Sequence, residues 1–86
     1  MATLIKTDGT LTIVHPKAGI GKPFTLEELR GYVGGYIEII YPKDGTLGVV
    51  NEEGLLLNLK PNLRASLATG YSLVGDVLLC DNGEID

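Results

Sequence analysis

Nucleophilic catalysis needs a hydroxyl or thiol held beside a base that is itself oriented. This 86-residue chain offers two serines (Ser66, Ser72), one cysteine (Cys80) and one histidine (His15) for it. Cys80 ends an apolar run and reads as a buried, inert thiol. A lone histidine and a lone cysteine without ligand spacing cannot close a metal site. Gly21-Lys22 invites comparison with a phosphate-binding loop, but Pro16 stands five residues earlier, where glycine belongs. Pro23 then takes the place of the magnesium-ligating Ser or Thr, so the segment reads as plain loop. Glu52 and Glu53 are adjacent carboxylates, with Glu38 on a neighbouring strand. A pair across a cleft serves glycoside hydrolysis, whereas neighbours in a turn point in different directions. The expectation is a protein with no catalytic set, no metal and no cofactor.

Binding is better supplied than catalysis. In Gly31-Tyr32-Val33-Gly34-Gly35-Tyr36, backbone without Cβ atoms lets a planar ring or a phosphate come close, although a helix C-terminus is the unfavourable end of the dipole for an anion. The same residues equally suit a helix cap packed closely on a sheet. Tyr32 and Tyr36 each pair an apolar face with a polar tip, fit for a half-buried core edge or for stacking on a base. Asn51 either bonds its own backbone two residues on or reaches a ligand. Lys60 and Arg64 flank Asn62 and are either solvated charges or ligand contacts. The candidate ligand-binding residues are Val33, Gly34, Gly35, Tyr36, Asn51, Glu52, Asn62, Arg64 and Ala65.

These residues need elements to position them. Short β-prone runs at 4–6 and 10–14, separated by Asp8-Gly9, predict an opening hairpin. Thr25 followed by Glu28 is a capping box, with Phe24 placed to staple onto Leu29. The helix it starts should run to about Val33 and stop at Gly34-Gly35. Two turns are unstable alone, so the face formed by Leu26, Leu29, Tyr32 and Val33 must pack on a sheet. Runs at 36–41, 46–50 and 55–57, joined by turns at 42–45 and 51–54, predict a three-strand meander. Asn62 can cap a short helix to Ala68, ended by Thr69-Gly70. A final strand spans 74–80, with Gly75-Asp76 as a bulge or turn, and 81–86 forms an exposed acidic end. The fold class is α+β: one domain over 1–86, a small mostly antiparallel sheet, one main helix and one short one.

Size and charge narrow the partners. A chain of this length buries only roughly 60% of its unfolded surface, so it has little spare core. Its aromatics are one Phe and four Tyr, which leaves the core to Leu, Ile and Val. One thiol permits no internal disulfide, as fits a reducing cytoplasm. No charged leader and no run near 18 apolar residues is present, so a soluble cytoplasmic protein without membrane partners is expected. Net charge is −4, and no block of adjacent Lys or Arg exists to release counterions from a nucleic acid. A nucleotide-sized ligand needs roughly 300 to 1,000 Å³, more than so small a fold can open internally. Any such pocket is expected between subunits of a homo-oligomer, with Gly34-Gly35-Tyr36, Asn51 and Asn62 near the boundary.

Leu29-x-x-x-Val33-Gly34-Gly35-Tyr36-Ile37-Glu38, Val49-Val50-Asn51-Glu52-Glu53-Gly54, Pro61-Asn62-x-x-Ala65 and Val74-Gly75-Asp76-Val77 follow one another in fixed order. Over residues 26–80 this resembles a small domain of unknown function carried by many bacteriophage, plasmid and bacterial genes. The chain departs from that pattern at 55–58, at Ser66 and in the inserted Gly70-Tyr71-Ser72. The resemblance implies a mobile-element accessory protein without enzyme activity. Small proteins of this kind include inhibitors of host defence, some of which act as sponges for a nucleotide signal. The alternative is a protein-protein module that blocks a host defence or restriction enzyme through its acidic face.

Overall fold

The computed structural model describes residues 1–85. Five strands form one antiparallel sheet: β1 (Ala2–Ile5), β2 (Leu11–Val14), β3 (Ile37–Ile40), β4 (Leu47–Asn51) and β5 (Val77–Cys80), in the order β2-β1-β5-β4-β3. Helix α1 (Leu26–Val33) lies on one face and α2 (Leu63–Thr69) belongs to the other. The last strand in sequence is therefore the middle strand of the sheet. Its register sets Leu4 against Leu78 on one side and Val49 against Leu78 on the other.

Alternation along the strands fills two cores. Ala2, Leu4, Val49, Leu78 and Cys80 point to the α1 side and meet Phe24, Leu29 and Val33. Ile5, Val50 and Val77 point the other way and meet Ile40, Ala65 and Leu73. Strands covered on both faces lose the polar-apolar alternation of half-exposed ones, which is why Val77-Leu78-Leu79-Cys80 is apolar throughout. Gly48 belongs to the second face, where a Cβ would lie 2.5 Å from the Ile40 side chain. Its absence lets Ile40 fold across β4.

Local signals place most of these elements. Thr25 accepts from the Glu28 amide at 3.1 Å, and the Glu28 carboxylate accepts from the Thr25 amide at 3.0 Å. The Thr25 amide, then that of Lys17, holds the Glu28 carboxyl below its ordinary range. Gly34 ends α1 at φ +81°, a conformation costly for a residue with a Cβ. Phe24 and Tyr32 meet edge to face, their centroids 6.1 Å apart, and burial pushes the Tyr32 hydroxyl pKa up. The hairpin turns at Gly9, φ +90°.

Two expectations are corrected. Residues 55–57 form no third meander strand but a compact turn, with the Leu57 amide donating to Glu53 O and the Leu59 amide to Gly54 O. The free edge of β4 that such a strand would need is taken by β5. Nor is the C-terminal segment a free acidic end. Glu84 is only 4% exposed; its carboxylate accepts from the Met1 amino group and the Asp81 amide. The Glu84 carbonyl accepts from the Phe24 amide at 2.7 Å, so 81–85 is tied to the entry of α1. Asp86 lies outside the described residues.

Candidate functional site

The expected ligand residues divide into internal fasteners and surface groups. Asn51 is buried: its Nδ2 donates to the Val33 carbonyl at 3.0 Å and its Oδ1 accepts from the Glu53 amide at 2.8 Å. It thereby bonds its own backbone two residues on and clamps the exit of α1 to the end of β4. Asn62 is 0% exposed and spends its whole amide inside. Nδ2 donates to Ile5 O at 2.8 Å and Gly75 O at 2.9 Å, while Oδ1 caps α2 by accepting from the Ala65 amide at 3.0 Å. Ala65 and Val33 are core residues. Arg64 is exposed, and its guanidinium donates to the Gly9 carbonyl at 2.8 Å.

At the glycine exit the backbone donors are used within the chain. Both the Gly34 and Gly35 amides donate to Arg30 O, at 2.8 and 3.2 Å, so neither points at a guest. What remains available is the bare surface. Gly35 sits against Asn51, where a Cβ would lie 3.0 Å from Nδ2. Removing the Asn51 amide leaves the buried Val33 carbonyl unpaired and should cost about 2 kcal/mol. Gly35→Ala presses on the same contact, so in urea titrations Asn51→Ala and Gly35→Ala should couple by at least about 0.5 kcal/mol. Additive losses would show that the two do not share one clamp.

Among the depressions of the described surface, two take in the exposed candidates Tyr36 and Glu52 or their direct neighbours. At the exit of α1, Arg30 stacks over the Tyr36 ring, 4.7 Å from its centroid. Beside it Leu26, Glu27, Gly31 and Gly35 line an open depression of about 670 Å³. Arg30 had no sequence signal, because only the chain reversal at Gly34-Gly35 brings it over Tyr36. On the opposite face, between residues 54–56 and 71–74, runs an open groove of about 580 Å³ floored by Ile40 and Val50. Glu38 and Glu52 line the same groove. Asn51, Asn62 and the glycine exit therefore do not converge on one cavity.

The profile of a family described as a domain of unknown function, DUF3846, matches residues 3–86. The chain belongs to the DUF3846 family. The match takes in the opening hairpin and the 81–85 segment, both of which pack into the DUF3846 fold described above. No curated protein and no solved structure matches the chain. Among the described residues of this DUF3846 domain, no helix is long and apolar enough to cross a membrane. No group of three or more His, Cys, Asp or Glu among them is placed to hold a metal ion.

Proposed function

We propose that the chain is a non-catalytic binding protein of a mobile genetic element, acting in the host cytoplasm by sequestering a small nucleotide-like ligand. The observation that carries this reading is the Arg30-Tyr36 stack beside glycine backbone. A guanidinium over an aromatic ring is a ready platform for a planar base, and its charge offsets the unfavourable pole of the helix for a phosphate. The depression is open, so a second copy or the ligand's own wrapping must complete it.

Titration calorimetry with cyclic nucleotides and ADP-ribose derivatives tests the reading, the ligand being recovered afterwards. Binding with intact recovery is expected, weakened about tenfold or more by Arg30→Ala or Tyr36→Ala, the loss of one stacking or cation-π contact. No binding across the series, or turnover of the ligand, overturns it. The acidic-face alternative rests on 81–86, and Glu84 there is an internal fastener. Deleting the segment would damage the fold itself, and no other observation favours that alternative.

A further inference from the structure

Exposed apolar surface is concentrated on the α2 side. Leu63 and Leu67, one helical turn apart, are 75% and 87% exposed, and Leu55 and Leu56 are each 83% exposed. The two pairs are neighbours through a short chain of contacts. Gly54 lies against Val74, which bridges Pro61, two residues before Leu63. Between Leu55-Leu56 and Tyr71 runs the groove floored by Ile40 and Val50. Ser66 Oγ accepts from the Leu73 amide at 2.9 Å and fastens the groove wall to α2. One surface thus carries both an unpartnered helix ridge and an apolar groove of the kind that receives one.

We infer that this face pairs with a second copy of the chain, α2 of each copy seated in the groove of the other. Three observations select a second copy over another protein. Ridge and groove occur together, so a two-fold axis satisfies both at once. Their charges are opposite: Arg64, exposed on α2 next to Leu63 and donating to the Gly9 carbonyl, accompanies the ridge, whereas Glu38 and Glu52 line the groove. Leu55, Leu56, Leu57, Leu63 and Leu67 are each more than half exposed, and covering them supplies apolar area of the order a standard interface needs, ~800 Å² per partner. The pairing is independent of the ligand reading, since Arg30, stacked on Tyr36, lines a different depression.

Light scattering behind size exclusion, run on the full chain at about 100 µM to exceed the micromolar end expected of this area, reads the result. The wild type should elute at twice 9.2 kDa, and Leu67→Glu should halve that mass while leaving circular dichroism unchanged. Two charge-reversed chains give a sharper test. One carries Arg64→Glu, the other Glu38→Lys with Glu52→Lys. Each alone should be monomeric, because acidic ridge then meets acidic groove, or basic meets basic. Mixed in equal amounts they should return the dimer mass. A monomeric wild type overturns the pairing and hands the face to a host protein. So does a dimer that Leu67→Glu leaves intact, or a mixture that stays monomeric.

Discussion

Asn62→Ala should lose about 4 kcal/mol of folding stability, the largest single-residue effect expected in this chain. Its amide joins three elements at one point: the end of β1 through Ile5 O, the entry to β5 through Gly75 O, and the first turn of α2 through the Ala65 amide. Alanine strands two carbonyls and one amide where water does not reach, at roughly 1–3 kcal/mol for each stranded group, partly relieved by relaxation. A domain of this size has only about 5–15 kcal/mol in total, so the variant should sit near its unfolding threshold at 37 °C. Asn62→Asp separates packing from hydrogen bonding, since the shape is kept. At pH 7 a carboxylate would face two carbonyl oxygens with no donor, and burial would raise its pKa. The protonated form regains one donor, so Asn62→Asp should be least stable above the ordinary carboxylate range and recover as pH falls through the raised value. Urea midpoints across pH 4–7 read both variants. A loss below about 1 kcal/mol for Asn62→Ala would mean that the three elements hold without this amide.

Cys80 gives the second large effect, on alkaline stability. It lies in the α1-side core, and burial first, then the Glu84 carboxylate, pushes its thiol from an ordinary 9.0 up to about 12. Between those values the unfolded chain releases the thiol proton and the folded chain keeps it. The unfolded state therefore binds fewer protons, and stability must fall as pH rises from 9 towards 12. The slope from this group approaches 1.4 kcal/mol per pH unit. Below pH 9 it contributes no slope. The measurement is the difference in slope between the wild type and Cys80→Ala, which isolates the thiol. Equal slopes would mean that the thiol is not desolvated. Alkylation reports the same property at pH 8, where the thiolate fraction of the folded chain is roughly 10³-fold below that of the unfolded one. Native protein should resist iodoacetamide and react once urea unfolds it.

These two residues stand on either side of what could be read from the sequence. Cys80 was legible: an apolar run around a single thiol indicates burial, whatever the fold above it. Asn62 was legible as a helix cap from its position before a short helical run, and Asn51 as a turn-former from Glu52-Glu53-Gly54 behind it. Neither could be recognised as a long-range fastener. The carbonyls they bind belong to residues 57 and 18 positions away, and no local pattern encodes which distant carbonyl will lack a partner. The same limit misplaced residues 55–57. Three leucines after a turn have strand composition, and only the insertion of β5 beside β4 removes their pairing edge.

Short-range physics, carried in the order of residues, determined α1 with its capping box and left-handed glycine stop, the Asp8-Gly9 hairpin and the short second helix. Each depends on groups within about four positions of one another, where chain geometry alone fixes what meets what. The tertiary structure decided the rest: which strand lies in the middle, which amides are spent inside, that Arg30 covers Tyr36, and that leucines lie bare beside a groove. Those outcomes depend on which surfaces compete for the same neighbour. That competition is resolved only when the whole chain is packed at once.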